Sequence, residues 1–260
     1  STYFKDNFGQ LLNPKMPFRL QMVEKIFSFD GIFLSPIVLR YEYSGGEYFY
    51  KNAMERKFAG FAKITEKNAL DYATKTYFHQ GNGSDVAAGE GDPTNPQFGD
   101  AVPRMGKLFA IEKYDEKNNL YSKTFQRWNH SSLGNDRDFV RLEQTVGIDY
   151  DGNNTKKARA EKYSYDLNNG NLIQQISMGE VQVSYDVLKQ GSITNDLGTD
   201  KFTVDISYTK DATKKISLPA SEITKDQNLN KVSETQIFYD NLPLFSATKG
   251  NVTKQSSWIS

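Results

Sequence analysis

The sequence predicts an all-β protein built as an antiparallel strip of β-hairpins with little helix. Apolar and polar residues alternate with a period of two along many short segments, as in strands with two different faces. Tyr and Phe, which favour strands, number 15 and 17 in a chain of 260 residues. Clusters of Gly, Asn, Asp and Ser separate these segments and are typical of tight turns.

The alternation is clearest at residues 201–208, where the apolar face, including Phe202, is predicted to be buried and Thr203 to be exposed. The same alternation predicts strands at residues 37–43 and 181–187. A helical spacing of apolar residues also fits residues 18–29, although a strand is favoured there. Further strands are predicted at residues 56–65, 72–79, 107–114, 121–128, 139–150, 158–165, 172–178, 232–239 and 251–259.

Turn signals and composition divide the chain. Tight hairpins are predicted where Gly or Asn can adopt positive φ, at residues 44–46, 116–119, 151–154 and 168–171. Residues 81–105 are rich in Gly and Pro and are predicted to form a long surface loop. The loop separates a β segment at residues 1–80 from a second hairpin segment at residues 106–260, and the two segments can still belong to one sheet.

The charge balance and the absence of cysteine limit the possible functions. Lys and Arg total 32, as do Asp and Glu, so no net field draws the chain to nucleic acid. The longest apolar stretch, residues 31–39, is far shorter than the roughly 20 residues of a membrane helix, and no membrane insertion is expected. There is no cysteine for disulfides or thiol catalysis. No cofactor is expected.

A Tyr-Asp pair recurs along the chain. Tyrosine suits the end of a half-buried strand, and aspartate accepts hydrogen bonds from the backbone that turns away. Gly170 follows one copy and can complete its turn. The copies are Tyr114–Asp115, Tyr150–Asp151, Tyr165–Asp166, Tyr185–Asp186 and Tyr239–Asp240.

The run Tyr-Ser-Tyr-Asp-Leu-Asn-Asn-Gly-Asn-Leu at residues 163–172 resembles the YD repeat of Rhs proteins. Four N-terminal motifs are similar, in their order, to the middle region of Tc insecticidal toxin B components and Salmonella plasmid virulence proteins. Those motifs are Met16-Pro-Phe, Tyr41-Glu-Tyr43, Arg56-Lys-Phe-Ala-Gly-Phe-Ala62 and Thr76-Tyr-Phe-His79. Lys57, Ala59, Ala62 and Tyr77 stand where that family has Glu, Arg, Gly and Trp.

The resemblance implies a non-catalytic segment of a β-sheet shell that encapsulates or displays a toxic polypeptide. The partners it implies are the remainder of the same Rhs-type polypeptide, an encapsulated toxin chain and a toxin-complex partner subunit. It also implies a bacterial protein that is secreted or held at the cell surface. The motif residues that it marks as structural include Phe58, Gly60, Phe61 and His79.

Structural roles, such as packing or the bending of a strand, explain most of the candidate site residues. Gly60 interrupts an aromatic strand and is predicted to form a β-bulge. His79 and His130 lack a second ligand at metal-site spacing, so packing is expected of both. Two alternatives stay open: a carbohydrate-binding or adhesive module with exposed tyrosine rows, and a β-rich glycoside hydrolase. The hydrolase would pair carboxylates from among Glu143, Asp149, Asp166 and Asp186.

Overall fold

The computed structural model describes residues 9–10, 13, 15–32, 35–50, 53–54, 56–81, 101–135, 137–151, 156–184, 191–210 and 217–259. The chain forms two compact units. One comprises Ser1–Ala158 with Val183–Thr194, and the other Arg159–Gln182 with Asn195–Ser260. Within the described ranges, no helix is long and apolar enough to span a membrane.

Nearly all regular structure is antiparallel strand, which confirms the predicted fold class. Outside the strands, Val102–Arg104 forms a 3-10 turn. The strands of the described residues are β1 (Lys25–Ser28), β2 (Ile37–Tyr50), β3 (Arg56–Lys67), β4 (Ala73–Phe78), β5 (Leu108–Tyr114), β6 (Leu120–Gly134), β7 (Arg137–Tyr150), β8 (Lys156–Tyr165), β9 (Leu172–Val183), β10 (Ile193–Asp196), β11 (Phe202–Tyr208), β12 (Pro219–Lys225), β13 (Lys231–Tyr239) and β14 (Val252–Ile259).

The strands are joined in one open sheet, in the order of the chain. Each strand pairs with the one before it and the one after it, except that β11 pairs with β9, and β10 pairs with β9 off the main path. Strands β4 and β5 are direct neighbours, with Tyr77 opposite Ala110, although the predicted 81–105 loop lies between them in sequence. Residues 82–100 of that loop lie outside the described residues.

Several strand boundaries differ from those predicted. Residues 44–46 do not turn the chain but lie inside β2, where Gly45 has a φ of +65°. The segments predicted at 172–178 and 181–187 are joined in the single strand Leu172–Val183, with Gly179 at positive φ inside it. In both strands glycine permits a local distortion of the ladder rather than a reversal. Strands β10 and β12 were not predicted, because their short polar sequences lack a clear alternation.

Burial does not follow the simple apolar face expected of β11. Phe202 is 46% exposed, whereas the neighbouring Thr203 is only 5% exposed, so the prediction for these two residues is wrong. The alternation correctly placed the two side chains on opposite faces but could not say which face would be covered. The least exposed apolar residues include Ala110, Val146 and Ile148 in the first unit and Ala220 in the second.

Strand β3 carries a β-bulge at the glycine singled out from the sequence. Gly46 lies opposite Phe61 and Tyr48 opposite Phe58, so Ala59 and Gly60 together face a single residue of β2. Gly60 has a φ of +89°, a backbone conformation that L side chains rarely adopt. An added Cβ at Gly60 would have no heavy atom within 4 Å, so the demand for glycine comes from the backbone and not from crowding.

We expect Gly60→Val to lower the free energy of unfolding by about 1–3 kcal/mol, because a β-branched residue is strained at positive φ. Gly60→Asn should cost less, since asparagine tolerates positive φ better. Urea denaturation of the two variants and the native chain measures both effects. Equal stability of the valine and asparagine variants would show that the positive φ at this bulge is not a constraint.

Candidate functional site

Within the residues that the structure describes, three hairpins close with the same five-residue loop. The loop begins at Asn68 between β3 and β4, at Asp115 between β5 and β6, and at Asp226 between β12 and β13. In each loop the first residue donates its backbone N–H to the carbonyl of the fifth, and the fourth, at positive φ, donates to the carbonyl of the first. The first side chain accepts the N–H groups of the third and fifth residues at 2.7–3.0 Å. The carboxylate or amide oxygen therefore satisfies the backbone that the turn exposes.

Two more Tyr-Asp copies use longer loops. Asp166 Oδ1 accepts the N–H of Asn168 at 2.9 Å, and Gly170, at positive φ, donates its N–H to the carbonyl of Asp166. Asp240 accepts four backbone N–H groups from residues 248–251 at 2.7–3.0 Å. Both carboxylates thus organise the connection that follows their strand.

These hydrogen bonds change the acidity of the turn aspartates. The pKa of Asp115 is lowered chiefly by the side-chain amide of Asn119, and the pKa of Asp226 chiefly by that of Asn230. The backbone N–H of Gly250 is the largest cause of the lowered pKa of Asp240. Each aspartate is therefore held in the charged form, which is the form that accepts hydrogen bonds with both oxygens.

The described tyrosines of the Tyr-Asp copies are at least half-buried. Tyr239 is buried and donates its hydroxyl to the carbonyl of Pro219 at 2.7 Å, whereas Tyr114, Tyr150 and Tyr165 are half-buried. Asp151, at the end of β7, is exposed, and the loop that follows it lies outside the described residues. Residues 185–190, and with them the copy at positions 185–186, also lie outside that part of the chain.

Tyr114 belongs to a buried network of hydrogen bonds centred on an ion pair between Glu112 and Lys123. Glu112 and Lys123 lie directly opposite each other on β5 and β6, with Lys123 Nζ 2.8 Å from Glu112 Oε1. The hydroxyls of Tyr77 and Tyr114 both donate to Glu112 Oε2 at 2.8 Å. Lys75 Nζ lies 4.0 Å from the centre of the Tyr114 ring. The network satisfies both carboxylate oxygens at a site where the Glu112 and Lys123 side chains are almost fully buried.

The environment of Glu112 acts on its pKa in two directions. Burial raises the pKa, while the Lys123 ammonium and the hydrogen bonds from Lys123 and the two phenols lower it. Burial is the largest single effect, but the lowering effects together exceed it, so the pKa of Glu112 lies below its usual value. Burial and the neighbouring Glu112 carboxylate raise the pKa of Tyr114. Glu112 is therefore ionised and the phenol of Tyr114 protonated at neutral pH, which gives a structural ion pair and not a proton donor poised for catalysis.

Aromatic residues from three of the four N-terminal motifs converge on the bulge of β3. Phe58 and Phe61 flank Gly60 and have ring centroids 5.2 Å apart. Phe18 contacts Phe58 from outside the sheet at 6.3 Å, and Tyr43 of β2 contacts Phe61 at 5.1 Å. Edge-to-face and tilted contacts at these separations are favourable for aromatic rings. Motifs that are distant in sequence thus form one cluster.

The segment that brings Phe18 to this cluster is held by Asn13. The Asn13 amide donates to the carbonyl of Tyr43 at 3.0 Å, and its oxygen accepts the N–H of Gly46 at 2.8 Å. Met16 is buried beside these bonds. A Cβ on Gly46 would lie 2.9 Å from Met16 Cγ and 3.0 Å from Asn13 Oδ1, so the close approach requires glycine.

His79 lies at the end of an aromatic strand. It is 3% exposed, its ring centroid is 4.8 Å from that of Phe109, and its backbone N–H donates to the carbonyl of Lys107. His130 lies on β6 opposite Val140. Within the described residues, no group of three or more His, Asp and Glu side chains is arranged to hold a metal ion.

The carboxylates considered for a hydrolase have other roles or positions. Glu143 forms an ion pair with Arg141 at 3.0 Å and accepts a hydrogen bond from Asn129. Asp166 is engaged in its own turn, Asp149 lies opposite Ser122 on the β6–β7 ladder, and position 186 lies outside the described residues.

Sequence reasoning missed several residues that organise the sheet. Asn68 and Asp226 close turns of the same geometry as Asp115 but lack a preceding tyrosine. The signal that could have found Asp226 is the spacing Asp-x-x-x-Asn, which it shares with Asp115. Asn13 and the Glu112–Lys123 pair carried no local signal, because their partners are set by strand register.

No protein-family model matches this chain, and no curated protein is similar to it in sequence.

We expect Gly46→Ala to displace residues 13–18 from the β2–β3 hairpin, because the new methyl would collide with Met16 and Asn13. Overpacking of this kind costs about 1–3 kcal/mol. The readouts are the rate of trypsin cleavage after Lys15 and the midpoint of thermal unfolding. Gly147→Ala is the matched control, since its Cβ would meet nothing within 4 Å. If both variants resisted trypsin equally, the docking of residues 13–18 would not depend on Gly46.

We expect Glu112→Gln to lower the free energy of unfolding at neutral pH by about 3 kcal/mol or more, because it removes the charge beside a buried ammonium. Since the folded pKa of Glu112 is lowered, its contribution is fully present above the ordinary glutamate pKa of about 4.3 and is lost as pH falls through the lower folded value. Urea denaturation from pH 7 to pH 3 should therefore show the two chains converging in acid.

The double variant Glu112→Gln with Lys123→Met is the control for this effect. It removes both charges but keeps an oxygen that can accept from the two phenols, so it should recover most of the lost stability at pH 7. A difference between native and Glu112→Gln chains that stays constant down to pH 3 would contradict the role of the ion pair.

Proposed function

We propose that this chain is a non-catalytic structural segment of a β-sheet shell of the Rhs type, which encapsulates or displays a toxic polypeptide. The observation that carries the proposal is the position of the Tyr-Asp copies. In the four copies whose tyrosine the structure describes, that tyrosine is half-buried or buried, and Asp115, Asp166 and Asp240 accept backbone N–H groups of the connection that follows their strand. A repeat that closes hairpins is what a continuous antiparallel sheet requires. A repeat that recognised a ligand would instead expose its aromatic rings.

The sheet order supports the same proposal. Strands follow one another in sequence, and within the described residues one side of β1 and one side of β14 have no partner. Several apolar side chains at these edges are largely exposed, including Phe27 at 55% and Ile259 at 79%. Open apolar edges ordinarily pair with other strands. In the proposed shell those strands come from the remainder of the same polypeptide, and the cargo toxin and a toxin-complex subunit are its further partners, outside the bacterial cell or at its surface.

One observation favours the alternative of a carbohydrate-binding or adhesive module. Tyr72 and Tyr121 are 38% and 41% exposed, and their rings contact each other edge to face with centroids 6.5 Å apart. Exposed aromatic faces of this kind can stack on sugars. A glycan array with the native chain and Tyr121→Ala distinguishes the two functions, since selective binding lost in the variant would favour the adhesive module.

The direct test of the shell uses the complete product of the natural gene. Electron microscopy should show a hollow particle, and limited proteolysis should leave an internal polypeptide intact until the particle is unfolded. In the Glu112→Gln variant, the internal polypeptide should become sensitive to protease at a lower temperature than in the Gly147→Ala variant, because only Glu112→Gln destabilises the sheet. A compact particle with no protected polypeptide would exclude an encapsulating shell.

A further inference from the structure

Three cations stand side by side on one face of the sheet at β1–β3. Lys25 lies opposite Arg40, and Arg40 lies opposite Lys67. Residues directly opposite each other in antiparallel strands share a face, and their Cβ atoms are about 4.5–5.5 Å apart. Like charges in this arrangement destabilise a sheet. The stability of the sheet therefore does not explain why the three cations form a row.

Nearby carboxylates neutralise this row only in part. Lys25 lies 3.7 Å from Glu24, and Arg40 lies 3.5 Å from Asp71, both at exposed sites where such pairs contribute little. Lys67 has no carboxylate within ion-pair distance among the residues that the structure describes. Lys75, on β4, lies diagonally from Lys67 on the same face, where the carboxylates of Glu112, directly opposite it, and of Glu42 offset part of its charge. At the edge of the sheet, Lys25 forms an exposed ion pair with Glu24, which screens its charge only weakly.

The row ends at the open side of β1. Tyr41 donates its backbone N–H to the carbonyl of Glu24 at 2.8 Å, and hydrogen-bonded pairs alternate along an antiparallel ladder. The N–H and C=O groups of Lys25 and Phe27 therefore point away from β2, where no strand pairs with β1 within the described residues. The residues that present this free backbone also place a cation and a 55% exposed phenyl ring on the cationic face.

The charge of Lys25 and the exposed ring of Phe27 together determine which kind of strand can pair with β1. A lysine on an edge strand disfavours addition of an uncharged or basic strand. A carboxylate directly opposite Lys25 would instead extend the row with an opposite charge, and opposite-charge pairs across strands are favourable. An apolar side chain opposite Phe27 would cover its exposed ring.

We propose that the open side of β1 binds one extended peptide segment that carries an acidic side chain opposite Lys25 and an apolar side chain opposite Phe27. The segment adds to the sheet as a further strand. This inference rests on the proposed function, in which β1 is an internal strand of a larger sheet, and it names the chemistry of the neighbouring strand.

The test uses the 260-residue chain and two labelled peptides. The first has the pattern Val-Thr-Glu-Thr-Val in its centre, and the second has lysine in place of glutamate. Fluorescence anisotropy should show that the chain binds the glutamate peptide more tightly than the lysine peptide. Lys25→Glu should weaken binding of the glutamate peptide about three- to tenfold and strengthen binding of the lysine peptide. Lys113→Glu, on the opposite face of the sheet, is the matched control and should leave the preference unchanged.

A second pair of variants tests backbone pairing. Phe27→Pro removes an N–H that points to the open side, and proline is tolerated there on an edge strand. It should abolish peptide binding, whereas Phe27→Ala should only weaken it. Circular dichroism checks that both variants remain folded.

Three results of the peptide measurements would overturn the inference: no binding of the glutamate peptide, equal binding of both peptides, or binding that survives Phe27→Pro. The third outcome would indicate a polyanion resting on the cationic face without strand addition. Self-association of the chain that both peptides fail to displace would indicate a second copy as the occupant, and would overturn it as well. None of these results affects the particle seen by electron microscopy, so failure of the shell and failure of this inference are distinguishable.

Discussion

The hydrogen-bond ladder of this sheet depends on turns that satisfy their own backbone. Each tight hairpin reverses the chain within a few residues. Some backbone N–H groups of the turn are then left without a carbonyl acceptor in the neighbouring strands. A side-chain oxygen of Asn68, Asp115, Asp166 or Asp226 accepts those groups, and a residue at positive φ completes each turn. Because the loop geometry sets which residues lie opposite each other, the turns also set the register of the strands.

The register in turn decides how the sheet accommodates charge. Residues that are distant in sequence become direct neighbours, as when Glu112 meets Lys123 and the tyrosine hydroxyls reach the same carboxylate. In the second unit, Asp205 likewise accepts from Gln174 at 2.8 Å and from Lys225 at 2.6 Å. These lateral networks let one face of a sheet hold ionised groups with their partners beside them. The row of Lys25, Arg40 and Lys67 departs from this rule, because directly opposite positions there carry like charge.

Segments that are distant in sequence meet in one cluster of aromatic side chains. Aromatic residues from three separate N-terminal segments come together in one cluster around the bulge at Gly60. These residues pack together, since Phe18 and Phe61 both contact Phe58 and a glycine allows the strand to bend there.

The sequence alone determined the all-β class, most strands, the turns at Asp115 and Asp166 and the bulge at Gly60, because two-residue alternation and turn chemistry are local properties. It misplaced residues 44–46 as a turn, since a glycine pair can bend a strand as well as reverse it. Only the tertiary structure decided that Phe202 is exposed and Thr203 buried, that Asn13 holds Gly46, and that Glu112 pairs with Lys123. Those outcomes depend on which strands lie side by side, in which register, and on which face is covered, and no local pattern encodes them.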